Sequence, residues 1–170
     1  MKKILALVLC LMLCITASMA LASENKVALE VITMDDGFTF AVPSNWEYME
    51  LDEEMIEEGV ILIACDVEND LMMTAFLEPL DMEVTAQEFA DQMVQDEEFG
   101  FAQVYTNAHG QELILYEYTD HTVVGFFVLQ DDGFLAAFNY SRITDDISVA
   151  DNTLLQQMLM ETIENVYYVK

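Results

Sequence analysis

The sequence predicts an α+β domain built as a three-layer α/β/α sandwich, with a mostly antiparallel sheet of six to eight strands covered by two main helices. Short apolar runs recur between turn residues, which is the signature of strands joined by tight connections. Several of those runs are apolar on both faces, so their sheet must be covered on both sides rather than wetted on one. Two segments carry the 3.6-residue apolar period of amphipathic helices, enough to form the two outer layers.

The N-terminus reads as a leader. Lys2 and Lys3 precede an apolar run from Ile4 to Ile15, and small residues follow to Ala20-Leu21-Ala22. A basic start, a short apolar centre and an A-x-A site are the pattern of a secretory signal peptide over residues 1–22. Retention as an anchor is the alternative, since Ile4 to Ala22 is just long enough to span a bilayer at about 17–25 residues. A lipoprotein is not expected, because Leu9 and Leu13 stand before Cys10 and Cys14 where lipidation wants a small residue. Cleavage leaves residues 23–170, one domain long enough for an adequate core. Of three cysteines only Cys65 then remains, so no intramolecular disulfide is available and packing alone must stabilise the fold.

Val27 to Met34 begins the domain as a strand of alternating residues, turned by Asp35-Asp36-Gly37. Phe38 to Val42 returns with Phe38, Phe40 and Val42 on one face and stops at Pro43, which cannot donate to a ladder. Leu51 to Gly59 is acidic and suits a short helix. Val60–Val67 and Leu71–Leu77 form a second pair of strands around Glu68-Asn69-Asp70. Thr85-Ala86-Gln87-Glu88 is a capping box, and Ala86, Phe89, Ala90, Met93 and Val94 form the stripe of the helix that it starts. Four further strands follow, over about Phe101–Thr106, Gln111–Tyr118, Thr122–Gln130 and Phe134–Tyr140. Asn107-Ala108-His109-Gly110, Asp120-His121 and Asp131-Asp132-Gly133 separate them. In the third of these strands Val123, Phe127 and Leu129 face one way and Val124, Phe126 and Val128 the other. The last helix runs from Val149 or Asp151 to Asn165, with Leu155, Met158, Leu159, Thr162, Ile163 and Val166 on its inner side.

This order of elements, with the stretch Gly37-Phe38-x-Phe40-x-Val42-Pro43-x-x-Trp46 near its start, resembles the PsbP-like superfamily. That group includes photosystem II extrinsic subunits, a Ran-binding eukaryotic branch and many exported bacterial proteins. The resemblance covers most of residues 23–170 and rests on structural residues. It implies the sandwich fold and a binding-module habit without an enzymatic site. The leader sequence fits the exported bacterial branch.

Charge narrows the partners. The chain has 32 acidic residues against 5 basic ones, a formal charge of −27; removing Lys2 and Lys3 with the leader makes it −29. Nucleic acids and anionic membrane surfaces would be repelled, because both are bound through cationic patches. The expected partner is a protein or envelope component with a cationic surface.

Candidate chemistry is sparse. His109 and His121 bracket the strand Gln111–Tyr118, and about ten residues at about 3.4 Å each set them about 30 Å apart, too far to share a metal ion. Cys65 alternates with Ile61 and Ile63 on an apolar face, where a buried thiol is inert. The clusters Asp52-Glu53-Glu54, Glu57-Glu58 and Asp96-Glu97-Glu98 would attract cations diffusely. Asp66-x-Glu68-x-Asp70 opens like an EF-hand loop, but Leu71 replaces the glycine and Leu77 the closing glutamate. Met72-Met73 and Met158-x-Met160 diverge in direction and suit packing better than copper. Arg142 is expected to anchor a carboxylate, of the protein or of a ligand. Trp46 is expected to pack at the core or its edge, and is the other candidate for outside contact.

No catalytic residue, cofactor site or metal site is assigned from the sequence. Glycine-rich phosphate loops, nucleophile elbows and zinc spacings are missing from it. The expected function is a non-enzymatic binding domain. The alternative is a protein binding a small ligand or divalent cation, near Trp46 or at the acidic loops. A hydrolase lacks the ingredients of a triad.

Overall fold

The computed structural model describes residues 28–35, 37–80, 83–130, 133–144 and 153–168. The expected leader, the turn residues Asp36, Asp131 and Asp132, and the expected start of the last helix at Val149 or Asp151 lie outside them. In chain order the described elements are β1 (Leu29–Thr33), β2 (Phe38–Pro43), β3 (Glu47–Tyr48), α1 (Glu53–Glu57), β4 (Val60–Asp66), β5 (Leu71–Pro79) and α2 (Ala86–Met93). Then come β6 (Phe99–Thr106), β7 (Glu112–Tyr118), β8 (Val123–Leu129), β9 (Phe134–Arg142), α3 (Thr153–Ile163) and β10 (Tyr167–Tyr168). They form two sheets: seven antiparallel strands in the order β3-β4-β5-β9-β8-β7-β6, and three in the order β1-β2-β10.

The second sheet corrects the expectation of one. Six of the eight expected strands join the large sheet, and the first hairpin stays apart from it. The reason lies in β2, all six residues of which are buried. Phe38 and Phe40 present their rings to Phe138 of β9, the central strand of the large sheet, at centroid distances of 6.1 and 5.0 Å. A strand that offers its side chains face-on to a sheet cannot also pair with that sheet's edge. Full burial of each such ring is worth about 1.5–3 kcal/mol, which favours the face-on arrangement. Gly37 makes the hairpin possible: its φ of +86° is left-handed, and its N–H donates to the Met34 carbonyl at 2.9 Å.

The large sheet is apolar on both faces. From β8, Val124, Phe126 and Val128 enter the main core with β2, Phe138 and α3, while Val123, Phe127 and Leu129 join a second cluster with Ala90 and Met93 of α2. In that second cluster Tyr116 lies across Gly125 of β8, and its hydroxyl donates to Asn139 Oδ1 of β9. A Cβ on Gly125 would stand 2.4 Å from the Phe138 carbonyl oxygen and 2.7 Å from Tyr116 ring and hydroxyl atoms. Glycine here is a steric necessity. Burial pushes the Tyr116 hydroxyl well above the ordinary tyrosine pKa.

Each helix is set by its own chemistry. Thr85 accepts from the Glu88 N–H at 3.2 Å and Glu88 Oε2 accepts from the Thr85 N–H at 3.0 Å, so the capping box closes reciprocally. On α3, Leu155, Met158, Leu159, Thr162 and Ile163 are buried, as is Val166 just beyond its end. The Thr162 and Tyr140 hydroxyls bond to each other at 2.6 Å, satisfying two polar atoms inside the core. Among the described residues no helix is long and apolar enough to cross a membrane.

The end of α3 is held by the β6–β7 turn. Asn107 is 5 % exposed, and its Nδ2 donates to the Ile163 and Val166 carbonyls at 2.9 and 2.6 Å. Its Oδ1 accepts from the N–H groups of His109 and Gln111, both at 3.0 Å. All four bonding positions of the amide are therefore used. Beside it, Glu164 accepts from the Tyr105 hydroxyl and from the Ala108 N–H at 2.9 Å, and the His109 ring stacks on Tyr167 with centroids 4.4 Å apart. This latch terminates α3 and delivers Tyr167 and Tyr168 to pair with Thr39 and Phe38.

Substitution of Asn107 by Ala strips partners from two buried carbonyls and two N–H groups. It is expected to cost about 3 kcal/mol in urea unfolding. The latch also predicts a pH dependence. The Tyr105 hydroxyl and then the Ala108 N–H hold the Glu164 pKa below the ordinary carboxylate value. Its contribution is therefore present above about pH 4.3 and is lost as pH falls further. Glu164→Gln should lower the urea midpoint at pH 7, and the two midpoint curves should converge in acid.

Candidate functional site

The two contact candidates from the sequence lie at the same end of the large sheet. Trp46 immediately precedes β3, whose Glu47 pairs with Cys65, while the next β4 residue, Asp66, pairs with Leu71 and Leu71 with Arg142. Trp46 follows the Pro43 turn, to whose carbonyl its N–H donates at 3.1 Å, and its side chain is in the main core with 6 % exposure. Arg142 ends β9 and donates through Nη1 to the Asn69 carbonyl at 3.0 Å.

Arg142 belongs to a clasp that turns the neighbouring acids inward. The Asp66 carboxylate accepts from the backbone N–H and the Nδ2 of Asn69 at 3.1 and 2.7 Å. Asp70, at φ +58°, accepts from the Thr144 N–H and hydroxyl at 3.0 and 2.8 Å. Two acids of the failed EF-hand pattern thus serve loop geometry. Other acidic clusters act likewise: Asp52 caps α1 through the Met55 N–H at 2.9 Å, and Asp96 accepts from the Glu98 N–H at 3.0 Å. Among the described residues no three His, Cys, Asp or Glu side chains come close enough to hold a metal ion.

His109 and His121 lie beyond opposite ends of β7. His109 stacks on Tyr167, and His121, at φ +62°, sits with Nδ1 2.6 Å from Glu117 Oε1. Cys65 is 7 % exposed, with its thiol 3.6 Å from the Glu47 carbonyl oxygen.

A cleft of about 390 Å³ lies elsewhere, between the N-terminus of α2 and the β8–β9 turn. Leu80, Val84 and Leu129 supply its apolar lining, and Glu83, Thr85 and Glu88 its polar lip. Gln130 lines it too, yet is only 7 % exposed. The Gln130 backbone is fully used, donating to the Phe134 carbonyl at 2.8 Å and accepting from the Gly133 N–H at 3.2 Å. The Gly133 carbonyl in turn accepts from the Leu80 N–H at 2.7 Å, which pins the two loops together. The Gln130 side chain is different: neither its Nε2 nor its Oε1 has a hydrogen-bond partner. Each buried polar atom left so costs about 1–3 kcal/mol, and native proteins hold few of them.

The lip is electrostatically one-signed. Hydrogen bonds from the Thr85 backbone and then its hydroxyl keep the Glu88 pKa below the ordinary value, so its carboxylate is ionised at neutral pH. The capping box takes the Thr85 and Glu88 N–H groups and sets the Glu88 carboxylate at the start of α2, where its charge opposes an approaching anion. The Gln130 side-chain nitrogen and oxygen are themselves closed to solvent, so what the cleft offers a ligand is carboxylates beside an apolar lining. Sequence reasoning missed this place. Its only trace was a glutamine closing an apolar run just before a turn.

No protein-family model matches the chain, and no curated protein matches it either.

The burial of Cys65 carries its own expectation. A thiol reagent should modify it slowly in the native protein and rapidly in denaturant, in measurements of labelling rate against urea. Rapid native labelling would contradict its placement.

Proposed function

We propose that this chain is an exported, non-enzymatic binding domain of the PsbP-like kind, and that its partner is a protein or envelope component with a cationic surface. The observation that carries the reading is the sign of the charge: 32 acidic residues against 5 basic ones in a chain with a substantial apolar core. A surface so one-sided raises encounter rates with cationic partners and opposes anionic ones. Export is supported by the leader pattern at residues 1–22.

The finer fold assignment belongs to the same proposal. The domain is read as a three-layer α/β/α sandwich with α2 and α3 as its two main covers. Contacts of Ala90 and Met93 with one face, and of Leu155 and Leu159 with the other, support that reading. The small sheet β1-β2-β10 shares the second cover with α3.

A second reading, small-ligand binding, draws support from the cleft at Gln130. It moves the expected pocket away from Trp46.

Capture from an envelope fraction tests the main reading. The full chain on a support should retain a basic protein at low salt and release it at about 1 M salt, where the screening length falls to about 3 Å. An empty capture at low salt would count against a cationic partner.

A further inference from the structure

We propose that the large sheet, on the half of its α2-bearing face that lies over β4, β5 and β9, docks one amphipathic helix of a partner whose apolar stripe is edged by lysine or arginine. The inference rests on the reading of the chain as a binding domain for cationic partners, and gives that reading a place.

Helix α2 covers one side of this face. It packs on β6 and β7, and its Phe89 ring reaches Phe127 of β8 at 5.6 Å between centroids. The apolar cluster beneath it ends with Val123, Phe127 and Leu129. Strand registers carry the same face onward, with Phe127 opposite Ala137 and Ala137 opposite Phe76. Beside Phe76 on β5, Thr74 stands opposite Ile63 of β4, and Met72 opposite Cys65. Met72, Thr74 and Phe76 are half-buried and belong to neither core cluster. Met49 continues the β3 register beside Ile63, to whose carbonyl its N–H donates at 3.0 Å, and is 48 % exposed.

The width of the sheet explains the uncovered half. Seven strands about 4.8 Å apart extend about 29 Å from the first axis to the last. A helix with its side chains is about 10–12 Å across. With α2 over the β6–β8 side, the β3-β4-β5-β9 side has room for one more helix.

The margins select what that helix carries. Glu47, opposite Cys65, and Glu78, two residues beyond Phe76, share the face and are exposed. Helix α1 packs beside β4, has no buried residue and adds Glu53, Glu54 and Glu57. Arg142 belongs to the other face, in the row of the core residue Leu71. Carboxylates around an apolar centre complement lysine and arginine, whose aliphatic stems also lie along apolar surface. A second copy of the chain, at −27, supplies no such flanks. Residues 145–152 do not supply them either, having Asp145, Asp146 and Asp151 and no basic residue.

The test uses the full chain with ¹³C-labelled methionine methyls. The probe is a striped leucine–lysine peptide of about 14 residues, about 21 Å long as a helix. Its controls are the same composition scrambled to break the stripe, and the striped peptide with glutamate for lysine. The Met49 and Met72 methyls should shift, while Met73 and Met158 in the core and the exposed Met160 of α3 stay in place. The probe should bind at least about tenfold tighter than either control. Met49→Asp, at an exposed position, should weaken it about tenfold while melting like the parent. Glu47→Gln combined with Glu78→Gln should weaken it about threefold at low salt and little at high salt.

Equal binding of the three peptides, shifts confined to Met160, or unchanged affinity in the variants would overturn the proposal. Should Met49→Asp fail to fold, the paired glutamine variant and the peptide comparison decide it alone. If a neutral paramagnetic agent leaves the Met49 and Met72 methyls sharp in the free chain, the chain's own residues cover the face and the proposal falls. Broadening of those methyls with protein concentration would assign the face to a second copy instead. If the probe leaves Met49 and Met72 unmoved while a basic envelope protein is still captured in a salt-sensitive way, the docking face falls and the broader reading stands. If the probe docks as described and no basic partner is captured, the broader reading falls by itself.

Discussion

The fold depends on how Phe138 is surrounded. It stands in the central strand of the large sheet, with Phe126 stacked on it at 4.6 Å and Phe40 and Phe38 approaching from the other sheet at 5.0 and 6.1 Å. Offset and tilted rings at these separations add attraction beyond the area that they bury. Once they meet, β2 is committed face-on, β1 and β10 must pair with β2, and α3 is left to cover the rest of that face. With Cys65 a free thiol, this contact and the Asn107 latch tie the ends of the described fold to its middle. The one latch is apolar and the other polar, and both join residues far apart in sequence.

Much of this architecture is legible in the residues. The double-faced pattern of β8 correctly places Val124, Phe126 and Val128 against one core and Val123, Phe127 and Leu129 against another. The capping box at Thr85 sets the start of α2, because a cap is a local hydrogen-bond solution that short-range sequence can specify. The division into two sheets is not legible. Alternation reports that a side is buried, and says nothing about whether a strand reaches its neighbour by its edge or by its face. The two-residue strands β3 and β10 escape for another reason: two residues have no period. Their positions are imposed from outside, by β4 in one case and by the Asn107 latch in the other.

The candidate site is less legible than the fold. Trp46 and Arg142 attract attention as the lone tryptophan and an isolated cation, but rarity in composition is not accessibility. One is sunk in the core and the other is bonded to a turn carbonyl. The cleft draws on Leu80, Glu83 and Gln130, which meet only because β5 and β9 lie side by side and bring their connecting loops together. A buried amide without partners has no sequence signature at all. It is a property of the three-dimensional surroundings, and only those reveal it.

The free edge of the large sheet has a further consequence. The outermost strand, β6, does not run evenly beside β7; its register shifts between Phe99 and Phe101. An irregularity of this kind bends the edge and puts its outward N–H and C=O groups out of step with any straight strand. At the opposite margin, β3 offers only two residues. A protein this rich in strands carries the hazard of copying itself edge to edge into fibres. Here one margin is crooked and the other too short to template. Mutual repulsion between copies bearing a charge of −27 opposes the same event at longer range. Resistance to edge-to-edge pairing is thus written into the shape of the sheet's borders as well as into the acids.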